Sequence, residues 1–183
     1  MRGHMTGLSS NGSYFDEMKV AMNMLAADPK TVFLYQNYGR VSWTLVDVDP
    51  SKKIDLPVIE DAQMGMATGL SLAGFVPVSC YVRWPFMLLA ANQLVNHLDK
   101  LEKMSHGGYV PKVIIRVGVG STMPLDPGCQ SVGDYTTAFE LMLDNIPVVR
   151  LREPEDIVPA YAKALRSERS TILVEYGNQY EES

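Results

Sequence analysis

The residues best placed to do chemistry in this sequence are one carboxylate, one long loop, two histidines and two cysteines. Glu60 follows Leu56-Pro57-Val58-Ile59 and opens a predicted helix, where the positive end of the backbone dipole favours a negative charge. Gly65, Gly69 and Ala73 come after it at intervals of four, so they share one smooth helix face. Interior glycines cost roughly 1 kcal/mol each relative to alanine. That cost makes sense if a second backbone, such as a partner helix, approaches closely, or if the helix packs tightly inside its own domain. Loop 117–131 (VGVGSTMPLDPGCQS) is rich in Gly and Pro, and loops of that length in compact domains are usually functional. Its Gly118-Val119-Gly120 lacks the third glycine of a dinucleotide fingerprint and the Gly-Lys-Ser/Thr of a P-loop. His97 and His106 have no accompanying Cys or carboxylate pattern of a zinc site. His106, with Gly107-Gly108 behind it, is a turn residue facing either solvent or a cleft. Cys80 and Cys129 form no Cys-x-x-Cys, and neither G-x-S-x-G nor H-E-x-x-H occurs.

The elements that must position these residues follow from composition and periodicity. The chain has 183 residues, 46% of them hydrophobic and 20% charged, as expected of one globular domain rather than a disordered chain. A net charge of −5 gives no footprint for nucleic acid, and no apolar run approaches a membrane span. Two cysteines make no disulfide framework, which points to the reducing cytoplasm. Residues 1–13 read as a leader expected to be disordered; Met1-Arg2-Gly3-His4-Met5 has no apolar core of a signal peptide and resembles a vector-derived extension before a native start at Met5. His4 is therefore left out of site reasoning, and 14–183 reads as a single domain. Helices are predicted over 14–28, 60–73, 85–104, 132–143 and 154–166. Strands are predicted over 31–35, 75–82, 112–117, 147–151 and 171–176, while 36–57 reads as mostly loop with one short strand. The strands are apolar without polar alternation and alternate with helices, which implies a three-layer αβα sandwich around a mainly parallel, doubly wound sheet. Ligands of such sheets bind beyond the carboxyl ends of the strands, here near 36–40, 82–86, 117–131 and 151–154.

The segment from Glu60 to Gly74 resembles the pyrimidine-binding domain of thiamine-diphosphate enzymes in the transketolase and 2-oxoacid dehydrogenase E1-beta group. The pattern there is Glu, Gly at plus five, Gly at plus nine and Ala-Gly at plus thirteen and fourteen; Glu60, Gly65, Gly69 and Ala73-Gly74 match it. Tyr81-Val82-Arg83-Trp84-Pro85-Phe86 is similar to the family's aromatic stretch and Asn92-Gln93-Leu94-Val95-Asn96 to its D/N-Q-x-x-N helix. Lys103–Gly108 with Pro111–Arg116 looks closest to the E1-beta type, and the resemblance runs from Tyr14 to Tyr176.

The resemblance implies that Glu60 hydrogen-bonds N1′ of the cofactor's aminopyrimidine and promotes the tautomer that removes the thiazolium proton. A carboxylate in an otherwise apolar patch suits acid–base work near neutrality. It also implies that Tyr81, Trp84 and Phe86 line or stack on the pyrimidine, the alternative being core packing at a strand end. Two departures stand out. Cys129 replaces the family histidine that touches substrate, and a thiol cannot supply its cation; His106 is a candidate to take over that duty. Gln36-Asn37 puts neutral amides where an acidic residue is usual. The family's Gly-Asp-Gly with a downstream Asn is not found, so thiamine diphosphate with Mg²⁺ is expected to be held through its diphosphate by a partner of the E1-alpha or transketolase N-terminal type. The expectation is a stand-alone subunit of a split enzyme, active only with that partner, in an α2β2 heterotetramer. It would cleave a C–C bond next to a carbonyl and pass the fragment to a lipoyl or carrier group or an aldose. The alternatives are a non-catalytic relative that stabilises or regulates a partner, and an unrelated flavodoxin-like binder of small ligands.

Overall fold

In the computed structural model, residues 12–180 are described; the expectation of a disordered leader falls, for residues 1–11, outside them. Ser13 caps the first helix: its Oγ accepts the Asp16 N–H at 3.1 Å. That helix, α1 (Tyr14–Ala26), buries Tyr14, Met18, Ala21, Met22 and Leu25 at helical spacing. There follow β1 (Thr31–Tyr35), α2 (Gly39–Thr44), β2 (Lys53–Asp55), α3 (Glu60–Leu72) and β3 (Val76–Tyr81). The chain continues as α4 (Trp84–Met87), α5 (Leu101–Met104), β4 (Ile114–Val119), α6 (Thr136–Met142), β5 (Val148–Leu151), α7 (Pro154–Arg166) and β6 (Thr171–Tyr176). A short 3-10 turn, Gly177–Tyr180, ends the described chain.

All six strands are parallel, in the order β2-β1-β3-β4-β6-β5. Two apolar cores cover the sheet. One joins α1, α2 and α7 through Met18, Leu25, Leu45, Ile157 and Tyr161; the other joins α3, α6 and the 84–104 segment through Met64, Trp84, Leu94 and Phe139. This is the expected three-layer α/β sandwich. Connections leave neighbouring β1 and β3 toward opposite faces, so a crevice opens at their carboxyl ends, as doubly wound sheets require.

Three local expectations change. The predicted helix 85–104 is wound unevenly: α4 passes into a 3-10 turn at Leu88–Ala90, a π-type stretch at Gln93–Leu98 and then α5. The wide turn, closed by the Asp99 N–H on the Leu94 carbonyl at 2.9 Å, accompanies an Asp99 carboxylate that accepts the backbone N–H groups of Asp144, Asn145 and Ile146. The helix predicted from Val132 begins at Thr136: the Asp134 carboxylate accepts the Thr136 N–H at 2.9 Å, an Asx turn that holds residues 134–136 ahead of the helix. Helix α2 lies inside the stretch read as loop; six residues are too few to show a periodic pattern.

Candidate active site

Glu60 is the first residue of α3, placed by a non-helical Ile59 at the carboxyl edge of the sheet. The residue is only 2% exposed, and Gln36, immediately after β1, donates its amide to Oε1 at 2.9 Å. No cation pairs with it among the described residues. Tyr81 ends β3 beside it: the phenol accepts from Ser79 Oγ at 3.2 Å and donates to the Glu60 carbonyl at 3.5 Å. Burial pushes that phenol well up, so it remains a neutral donor. Gln63, one turn into α3, was not expected in the site. Its amide donates to the Cys80 carbonyl at 2.9 Å and to Ser79 Oγ at 3.2 Å, while its Oε1 is buried with no partner. A glutamine on the buried face one turn after Glu60 is the signal that marks it.

The other predicted residues are distributed unevenly. Trp84 is fully buried, stacked on Phe139 at 4.7 Å with its Nε1 donating to Thr136 Oγ1 at 3.1 Å; it backs the site from within the core and shows no open ring face. Phe86 stands at the surface. Cys129 is exposed in the 117–131 loop after Gly128, whereas Cys80 is buried and its thiol is pushed up to about 12 by that burial. His106 is not brought to Glu60. The 84–104 segment leaves the carboxyl edge beside Tyr81 and ends at the amino edge before β4, and His106 follows it in a left-handed turn (φ 52°) among Glu102, Lys103, Asp144 and Arg169. The reason is topological, since each crossover helix spans the sheet and its two ends cannot share one site.

A cleft of about 610 Å³ lies over the carboxyl ends of β1, β3, β4 and β6, walled by Tyr38, Trp43, Tyr81, Arg83, Leu125 and Glu175 among others. Gly118 and Gly120 shape its floor. A Cβ on Gly118 would come within 2.5 Å of the Val82 carbonyl oxygen, and one on Gly120 within 2.1 Å of the Ser131 carbonyl oxygen. The glycines thus answer to backbone crowding. Beneath the cleft, Arg116 is fully buried and grips Glu175 through Nε and Nη2, the latter at 3.0 Å, with Nη1 donating to Thr44 Oγ1 at 2.7 Å. Tyr161 and Tyr180 also donate to Glu175; burial first, and then the Glu175 charge, pushes both phenols well up. Sequence reasoning missed this cluster, whose signal is one charge inside each of two apolar strands, KVIIRV and TILVEY.

The small-residue face of α3 looks outward. A Cβ on Gly69 would meet nothing within 4 Å, and one on Gly65 only the Gln93 side chain at 3.9 Å. Packing within this chain therefore does not demand glycine at 69. Met66 and Leu72 are exposed on the same helix, with Val58 and Ile59 before it and Leu88 and Leu89 on the neighbouring segment. Among the described residues no three His, Cys, Asp or Glu side chains gather as a metal site, and no helix is long and apolar enough to cross a membrane.

No family model matches the chain. It is 30% identical over 126 residues to the chloroplastic pyruvate dehydrogenase E1 component subunit beta-3 of Arabidopsis thaliana, which takes in 67% of this chain and 30% of that protein. It is 32% identical over 98 residues to the pyruvate dehydrogenase E1 component subunit beta of Cyanidium caldarium, covering 54% of this chain and 28% of the relative. The chain thus spans less than a third of the length of these curated relatives. Among solved structures, a split-gene transketolase described as an inactive beta4 tetramer superposes with a TM-score of 0.73 at 18% identity, over 91% of this chain and 52% of the other, a likeness of fold. With the Glu60 helix, the all-parallel sheet and the relatives agreeing, the chain belongs to the pyrimidine-binding-domain family of thiamine-diphosphate enzymes, in the transketolase and E1-beta group.

Proposed function

We propose that this chain is the pyrimidine-binding subunit of a split thiamine-diphosphate enzyme, active when a second subunit of the E1-alpha or transketolase N-terminal type supplies the diphosphate and Mg²⁺ site. The observation that carries the reading is Glu60: a residue 2% exposed whose carboxylate has a neutral amide as partner, at the crevice between β1 and β3. Burying a carboxylate is costly unless a charge or several donors meet it, and here one donor does. Glu60 would hold the aminopyrimidine through a ring nitrogen and exchange a proton with it. When bound, thiamine diphosphate supplies the carbon nucleophile that attacks the carbonyl next to the bond to be cut.

The chain's own residues then have distinct tasks. Glu60 holds and exchanges a proton at its carboxylate, and the Gln36 amide orients it without neutralising it. Tyr81 stays protonated and ties the start of α3 to the end of β3. Phe86 offers an exposed apolar ring at the rim, and Trp84 fixes the turn from behind through Phe139 and Thr136. Cys129 handles the substrate end without the positive charge a histidine could carry. The outward face of α3, bare at Gly69, is the surface offered to the partner in an α2β2 assembly. That the split transketolase beta chain is described as inactive in a tetramer of its own kind supports a requirement for the partner. The fragment released would pass to a lipoyl or carrier group, as in E1 chemistry, or to an aldose. Two unpaired cysteines suit the reducing cytoplasm.

The test is Glu60→Gln in the complex reconstituted with the diphosphate-binding subunit. Turnover should fall by about 10²-fold or more while sedimentation shows the assembly intact. Full activity in that variant would remove the catalytic role and favour a non-catalytic, partner-stabilising relative.

A further inference from the structure

We infer that the cleft over β1, β3, β4 and β6 binds a small organic monocarboxylate with an apolar body, and that Arg83 takes the carboxylate. The cleft's volume of about 610 Å³ is in the range of small-molecule sites, and Val41, Trp43, Met123, Pro124 and Leu125 make its walls mainly apolar. Among the described residues, the charged side chains that line it are Arg83 and Glu175. They are not equivalent. Both oxygens of Glu175 are occupied, Oε1 by Arg116 and Tyr161 and Oε2 by Arg116 and Tyr180. The half-buried Arg83 guanidinium has no hydrogen bond or ion pair among the described residues.

The fold holds Arg83 where it is for reasons unrelated to its charge. Its extended backbone (φ −154°, ψ 156°) starts α4, and its carbonyl accepts the N–H groups of Phe86 at 3.1 Å and Met87 at 3.3 Å. Any residue type would serve those two bonds. A guanidinium there is a planar fork of donors partly removed from water, which suits a carboxylate accepted side-on. Among the described side chains that line the cleft, no lysine, histidine or second arginine joins Arg83, which matches a single negative charge. The assignment of this anion as the acidic end of a substrate rests on the function proposed above; the binding site itself does not, because it is built wholly within this chain.

Trp43 lines the cleft and is exposed, whereas Trp84, the second tryptophan, is buried against Phe139. Quenching of Trp43 fluorescence therefore reads occupancy in the full chain. 4-Methylpentanoate should quench it saturably; Arg83→Gln should weaken that binding by about tenfold or more and Arg83→Lys by less. The neutral isostere 4-methylpentanamide should bind more weakly than the acid and equally well to all three proteins. Arg83→Gln should unfold at the wild-type midpoint, since the Arg83 side chain makes no bond among the described residues; if it does not fold, the acid–amide contrast in wild type and Arg83→Lys still decides. Equal binding of acid and amide, unchanged binding by Arg83→Gln, or displacement of the acid by an equal concentration of inorganic phosphate would each overturn the inference. The titration uses neither thiamine diphosphate nor a partner, so its failure leaves the Glu60 reading standing, and failure of that reading leaves the titration unaltered.

Discussion

Two carboxylates are buried at the carboxyl edge of this sheet, and they are treated in opposite ways. Glu175, 5% exposed, sits within a guanidinium and two phenols. Glu60, 2% exposed, has one neutral amide. The first has every oxygen occupied and can do little but hold β4 and β6 to α2, α7 and the final turn. The second accepts one neutral donor among the described residues, which is what the proposed function asks of a carboxylate that exchanges a proton with a ligand. Burial alone does not separate structural from functional groups; the inventory of partners does.

The sharpest way to break this contrast is Arg116→Met. It strands Glu175 in the core and should lower the unfolding free energy by about 3–5 kcal/mol, with Arg116→Met/Glu175→Met together recovering most of it. Urea denaturation of the three proteins measures both; a single-variant loss under about 1 kcal/mol would mean the clamp is not structural.

Asp99 offers an intermediate case. Burial opposes its ionisation, but the Lys100 ammonium and the backbone N–H groups of Asp144 and Asn145 outweigh that and hold the carboxyl below the usual range. A depressed native pKa adds stability above the unfolded value and loses it as pH falls through the native one. Asp99→Asn should therefore cost about 1–2 kcal/mol at pH 7, and the gap to wild type should close below about pH 4. A gap that stays constant in acid would show that the charge contributes nothing.

The smallest effect tests the outward face. Gly69→Ala should stabilise the isolated chain by about 0.5–1 kcal/mol, because the site is helical, exposed and open. The same change should weaken association with the partner, measured by sedimentation velocity. Destabilisation of the isolated chain would show instead that the glycine serves packing within it.

Much of the fold was legible along the chain. Thr31–Tyr35 and Thr171–Tyr176 are strands with the predicted bounds, and Pro154–Arg166 is the predicted helix, because a continuous apolar run or an uninterrupted 3.6-residue stripe is a local signal. Glu60 was legible as a carboxylate that opens a helix after Pro57 and a β-branched pair, and its expected role came from the family resemblance. Legibility failed where a side-chain contact overrode the periodic pattern, a short-range one at Asp134 and one that spans 45 to 47 positions at Asp99. Asp134 delays α6 by four residues, and Asp99, turned toward residues 144–146, coincides with the change of winding after Leu88.

The sequence by itself determined which stretches are strands and helices, the carboxylate at the start of α3 and the face of small residues behind it. These depend on periodicity and composition over ten or so residues. Only the tertiary structure decided that Arg116 meets Glu175 across 59 positions, that His106 falls at the far edge from Glu60, and that Arg83 lines a cleft with no counter-charge of its own among the described residues. The partners of a buried charge depend on strand order and on which face each crossover takes, and neither is written in any local run of residues.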